Sequence, residues 1–112
     1  MHPSRLHFYD MKKITFKEPW SDINDYPTSV KNGIESELRC ELSKEHILFK
    51  KNYEVIAKRD DNDDILISLN KSYFVVHLTW SGKIEKEGFP YTIEYRSYDE
   101  LQDKINIDSE YF

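Results

Sequence analysis

A chain of 112 residues has material for one compact domain, and its single cysteine, Cys40, excludes a disulfide-stapled secreted module. A formal net charge of -5 argues against a nucleic-acid binder, which needs a basic footprint; it suits an ordinary acidic cytosolic protein first, and a basic partner drawn by electrostatic steering second. With 38% hydrophobic residues and 14% aromatics, the chain is richer in core-forming side chains than a disordered one.

The first residues, "MHPSRLHFYDMKK", hold no apolar run of signal-peptide length, and no later stretch approaches the length of a membrane span. The expectation is a cytoplasmic protein without membrane segments. Residues 1–27 read as an N-terminal arm laid over the domain. It has one short alternating patch, Lys13 to Phe16, and Phe8, Phe16 and Trp20 as its anchors. The prolines and turn formers of "KEPWSDINDYP" follow. Residues 28–112 then form a single domain.

Pro27, Thr28 and Ser29 mark a helix start, and Val30, Ile34, Leu38 and Leu42 recur every four residues along one helix face. Cys40 lies off that stripe, and no neighbour marks it as an activated thiolate. The period then changes to two. "NYEVIAKR" sets Tyr53, Val55 and Ala57 against Glu54, Ile56 and Lys58. The acidic turn "RDDNDD" leads into "ILISLN", and Asn70 and Lys71 link that strand tightly to "SYFVVHLTW". A loop, "SGKIEKEGFP", precedes "YTIEYR", with Tyr91, Ile93 and Tyr95 in one row. Short links predict antiparallel hairpins. Ser97 to Glu100 spell a capping box, with Leu101 and Ile105 on one face of a short closing helix, and "NIDSEYF" reads as a ragged tail.

The predicted architecture is α+β. A four-stranded antiparallel meander has the amphipathic helix and the short C-terminal helix on one face, in two layers. Its expected core is Val30, Ile34, Leu38, Val55, Ile67, Val76, Leu78, Ile93 and Leu101.

His77 is the residue that most needs an explanation, because it sits in the middle of an apolar strand. Alternation puts Phe74, Val76, Leu78 and Trp80 toward the helices and Tyr73, Val75, His77 and Thr79 on the other face. Glu54, Lys58, Ser68, Thr92, Glu94 and Arg96 are expected on that outer face, interrupted by Ile56, Leu66, Tyr73 and Val75. Three readings follow. His77 is a cross-strand hydrogen-bonded group beside Glu94 or Thr92, a partner-binding residue, or a general acid–base. The candidate binding set is His77, Thr79, Trp80, Lys83, Glu94 and Arg96, and no catalytic set is assigned.

Asp60, Asp61, Asp63 and Asp64 offer hard oxygen ligands, but they lack the spacing, glycine and closing glutamate of an EF-hand, so an acidic turn explains them. His2, His7, His46 and His77 have no zinc spacing, and "WSGK" lacks the remaining glycine and following helix of a phosphate loop. No metal and no cofactor are expected.

"VVHLTWSGK", Val75 to Lys83, resembles the signature of a family of small uncharacterised bacterial proteins from Bacillus-like organisms. In that comparison His46, Ile47, Leu48 and Phe49 fall where the family has a His-Pro-Leu turn with an aromatic, and Ile47 replaces the proline. Arg59, Asp60, Asp63 and Asp64 resemble its acidic turn. The likeness covers roughly residues 30–100 and implies no particular activity. Two function classes stand open. One is a non-enzymatic protein-binding module, for example an immunity or antitoxin-type inhibitor. The other is a small enzyme or ligand binder using His77 and the Trp80–Lys83 turn. The half-apolar outer face calls for cover by the arm or by a second copy, giving a monomer or a weak homodimer.

Overall fold

Strands joined by short links pair antiparallel, and the computed structural model, which describes residues 13–112, contains one such sheet in the spatial order of the sequence. Its strands are β1 (Trp20–Asp22), β2 (Glu54–Arg59), β3 (Asp64–Leu69), β4 (Ser72–His77) and β5 (Tyr91–Tyr95). A 3-10 turn, Ile23–Asp25, leads to helix α1 (Thr28–Glu41), and helix α2 (Tyr98–Glu110) closes the chain. The α+β, antiparallel reading holds. No helix among the described residues is long and apolar enough to cross a membrane.

Four details of the predicted architecture are corrected. The sheet has five strands, because Trp20, Ser21 and Asp22 pair with Arg59, Lys58 and Ala57. The alternating patch Lys13–Phe16 is not a strand. There the Gln102 side chain satisfies the backbone of Thr15, accepting its N–H at 2.9 Å and donating to its carbonyl at 2.8 Å. The closing helix runs to Glu110, through the stretch expected to be ragged.

The fourth correction concerns the layers. The two helices lie on opposite faces of the sheet, so the domain has three layers. Ile34, Leu38 and Leu42 pack with Val55, Ile65, Ile67, Phe74, Val76 and Leu78 on one side. Leu101 and Ile105 pack with Trp20, Ala57, Leu66 and Val75 on the other. Ile65 and Ile67 alternate with Leu66 along β3, so the two clusters occupy opposite faces. Both rows of β3 and β4 are apolar, and a strand buried on both faces needs cover on both. Val30 packs only partly against the α1 cluster.

A bulge in β2 explains why Val55 and Ala57 do not share a face. Val55 pairs with Ile67, yet Ala57 pairs with Leu66, so two steps along β2 match one along β3. Ala57 joins the α2 cluster while Val55 stays with α1. Lys58, opposite Ile65, moves to the α1 face, where its ammonium lies 4.9 Å from the Tyr26 ring centroid.

The start of α2 follows the capping box. The Ser97 hydroxyl accepts from the Glu100 N–H at 3.1 Å, and the Glu100 carboxylate reaches back to the Arg96 N–H at 2.9 Å.

Candidate functional site

Opposite register positions decide what His77 can touch. His77 faces Asp64 on one side and Tyr91 on the other. Its Nδ1 lies 2.7 Å from Asp64 Oδ1, and the side chain is 54% exposed. The expected partners, Thr92 and Glu94, are on the other face of β5, because they pair with Val76 and Phe74 of the α1 row. The correction has a simple cause: the two β5 residues beside Val75 and His77 are Ile93 and Tyr91, so β5 is offset by one from the expected row. Ile93, expected in the core, is 38% exposed there, on a strand with no neighbour beyond it among the described residues.

An exposed His–Asp pair of this kind contributes little to stability. Replacing His77 by Ala should therefore shift stability by less than about 1 kcal/mol, measured as a change in the urea midpoint at constant slope. A loss above about 2 kcal/mol would show that His77 is a structural linchpin.

The remaining candidates separate. Glu94 and Arg96 make one long contact, 3.9 Å, and the Arg96 side chain is largely exposed. Thr79, Trp80 and Lys83 lie in the loop between β4 and β5, which is tied to α1 rather than to His77. The anchor is Glu41, a buried carboxylate at the end of α1. It accepts from the Thr79 N–H at 3.1 Å and the Trp80 N–H at 2.7 Å. One turn earlier, Glu37 accepts from the Gly82 N–H at 2.9 Å. The Glu85 N–H donates to the Glu41 carbonyl at 2.9 Å, and the Thr79 hydroxyl donates to the Glu85 carboxylate at 2.6 Å. Two carboxylates of one helix thus hold three backbone donors of the loop.

This clamp sets unusual backbone. Trp80 has φ 55° and Gly82 φ 71°, both left-handed. For a tryptophan that conformation costs on the order of 1–2 kcal/mol, and charge-assisted hydrogen bonds to Glu41 offset it. The result is an outward tryptophan on a fixed loop. Burial, followed by a hydrogen bond with Glu37, raises the Glu41 carboxyl above its ordinary range, while the Thr79 and Trp80 donors oppose the rise. In the sequence Glu37 and Glu41 are a like-charge i,i+4 pair beside the Leu38–Leu42 stripe. Such pairs are unfavourable unless donors meet them, and that was the readable signal.

No family model, curated protein or solved structure matches this chain. The nine residues Val75–Lys83 divide between two jobs: Val75 and Val76 fill opposite cores, and Thr79 to Gly82 form the clamped loop.

His46 ties the 43–52 segment to the start of β5. Its Nδ1 accepts from the Leu48 N–H at 3.1 Å, which leaves the proton on Nε2, and Nε2 donates to the Pro90 carbonyl at 3.0 Å. Asp60 and Asp61 of the acidic turn are spent on contacts within the domain. Asp60 accepts from the Ser21 and Tyr26 hydroxyls at 2.6 and 2.9 Å, and Asp61 pairs with Arg59 through two bonds of 2.8 Å. Those contacts hold both aspartates below the usual carboxylate range, the Ser21 hydroxyl leading for Asp60 and Arg59 for Asp61. Among the described residues no group of His, Cys, Asp and Glu is arranged to hold a metal ion.

Proposed function

We propose that this chain is a non-enzymatic protein-binding module that docks a partner along β5 and the loop before it. One observation carries the reading. Of nine exposed large hydrophobic side chains among the described residues, five fall between positions 80 and 93: Trp80, Ile84, Phe89, Tyr91 and Ile93. They lie on or just before β5, which is an edge strand among the described residues, and an edge strand offers unpaired backbone groups to an incoming strand. Rigid, outward aromatics beside such an edge suit strand addition, in which backbone pairing gives affinity and side-chain pockets give selectivity.

The acidic net charge favours a basic partner. A cytoplasmic inhibitor of the immunity or antitoxin type, which covers another protein's working surface, fits this combination. The same edge offers a route to a weak homodimer. The alternative, an enzyme or ligand binder using His77 and the Trp80–Lys83 turn, is favoured by the 2.7 Å His77–Asp64 contact, which orients an exposed imidazole. The loop's attachment to α1 speaks against it, since that attachment draws Thr79 to Gly82 toward Glu37 and Glu41.

The test is affinity capture from the native organism with the full chain as bait, beside Tyr91→Glu/Ile93→Glu and His77→Ala baits checked for folding by circular dichroism. The expected result is a specific protein retained by the wild type and His77→Ala and lost by the double variant. Equal capture by all three baits would overturn the placement on β5, and loss with His77→Ala alone would favour the alternative.

A further inference from the structure

A buried hydroxyl with no partner needs an explanation, because buried polar groups are nearly always hydrogen-bonded. Among the described residues one side-chain polar atom is in this position, Tyr53 Oη. It lies beside a surface cleft of about 310 Å³ lined by Arg39, Leu42, Phe49, Lys50, Lys51, Asn52 and Tyr53. The cleft sits where the last turn of α1 meets the chain entering β2.

Its charge is unusual for an acidic protein. Arg39, Lys50 and Lys51 are three cations on one small concavity, and none is in a salt bridge among the described residues. Lys50 lies 5.6 Å from the Phe49 ring centroid. The charges felt at the Tyr53 hydroxyl are those of Arg39 and Glu35, and the Glu35 carboxylate accepts from the Val55 N–H at 3.2 Å. Arg39, Lys50, Lys51 and Asn52 are the polar lining residues of the cleft and Leu42 and Phe49 the apolar ones, with Tyr53 between them, its hydroxyl buried and Glu35 the one carboxylate whose charge reaches it.

From this we infer that the Arg39–Tyr53 cleft is a binding site for a small phosphate monoester with an apolar or aromatic body. A phosphate monoester carries close to two negative charges near neutral pH, a better match for three cations than a carboxylate's one. The guanidinium fork takes two of its oxygens, and the Tyr53 hydroxyl gains the acceptor it lacks. The volume is at the low end for small-molecule sites, so the ligand is compact. This site is separate in sequence and in lining from the β5 edge, so its success or failure is independent of the protein-binding reading.

The experiment uses phenyl phosphate as the probe, titrated into the full chain at low ionic strength by calorimetry, with thermal unfolding in parallel. Inorganic phosphate, benzoate and phenol serve as comparators. Saturable binding of phenyl phosphate is expected, tighter than benzoate by tenfold or more, with no binding of phenol. Arg39→Ala and Lys51→Ala should each weaken it about tenfold, and both positions are exposed, so folding should survive. Tyr53→Phe is the decisive variant. Without probe its melting temperature should equal or exceed that of the wild type, because an unpaired hydroxyl has been removed. With probe its affinity should fall several-fold. Absence of saturable binding, equal affinity for benzoate, or full affinity in Tyr53→Phe would each overturn the assignment. Tyr91→Glu/Ile93→Glu should bind phenyl phosphate unchanged.

Discussion

Replacing Glu41 by Ala should destabilise the fold by about 2–4 kcal/mol, although it removes a buried carboxylate. Two effects oppose each other. Removing a buried carboxylate relieves its desolvation, which favours the variant. It also strips the Thr79 and Trp80 N–H groups of their acceptor, at about 1–3 kcal/mol for each left unpaired. The second effect wins because two donors depend on one carboxylate. The left-handed Trp80 also loses the contact that holds it. Urea unfolding at pH 7 measures the difference, and a loss below about 1 kcal/mol would mean that water satisfies the loop equally well.

The same residue gives a pH signature with a definite sign. The Glu41 carboxyl is raised above its ordinary value of 4.5, chiefly by burial. A group raised in the folded state adds stability that is fully present below its unfolded value and is lost as pH rises through the folded one. Asp60 and Asp61 act the other way. Lowered from 3.8 in the fold, they add stability above that value and lose it as pH falls through their folded values. The summed contribution of these three groups should therefore be greatest between their ordinary values of 3.8 and 4.5. The advantage of the wild type over Glu41→Gln should shrink as pH rises from 4.5 and then level off. A pH-independent difference would remove the raised carboxyl from the account.

Much of the fold is legible in the sequence because hydrophobic period is local information. Val30, Ile34, Leu38 and Leu42 line α1 as their spacing predicts, and the four strands from Glu54 to Tyr95 match their runs within a residue or two at most ends. The bulge beside Ile56 is not legible. "EVIA" alternates plausibly with or without an extra residue, and only the competition between Ile67 and Leu66 for partners decides. The side taken by α2 was hidden for a different reason. The outer row, Leu66, Tyr73 and Val75, has the pattern of a surface awaiting a partner, but the chain covers it itself with Leu101, Ile105, Ile14, Phe16 and Trp20.

The candidate site was less legible than the fold. A histidine in a strand attracts attention, yet strand pairing gave it Asp64, thirteen positions away, instead of the β5 carboxylate. The groups that shape the nearby loop, Glu37 and Glu41, sit on a helix some forty residues upstream of it. Nothing in local sequence connects a helical glutamate to a distant backbone N–H. Tyr53 illustrates the same limit: alternation places its ring, but only the assembled cleft leaves its hydroxyl without a partner.

Trp20 should be among the costliest residues to truncate, with Trp20→Ala losing about 3–5 kcal/mol. The side chain is buried among Ala57, Leu66, Leu101 and Ile105, so its removal opens a cavity between the first strand and α2. It is also part of a polar junction. The indole N–H donates to Asp108 at 2.8 Å, where Arg59 lies at 3.2 Å and Lys104 at 2.9 Å. Asp108 thus joins β1, β2 and α2 from inside the stretch that the sequence suggested would be ragged. Trp20→Phe separates the two contributions. It keeps most of the ring burial and loses the hydrogen bond to a charged acceptor, for an expected cost of about 1–3 kcal/mol. The two tryptophans make the measurement direct. Trp20 is buried and Trp80 is half exposed, so acrylamide should quench Trp80 first, and Trp20→Phe should leave a red-shifted, readily quenched spectrum. If Trp20→Ala unfolds within about 1 kcal/mol of the wild type, residues 13–22 are a dispensable strap rather than part of the core.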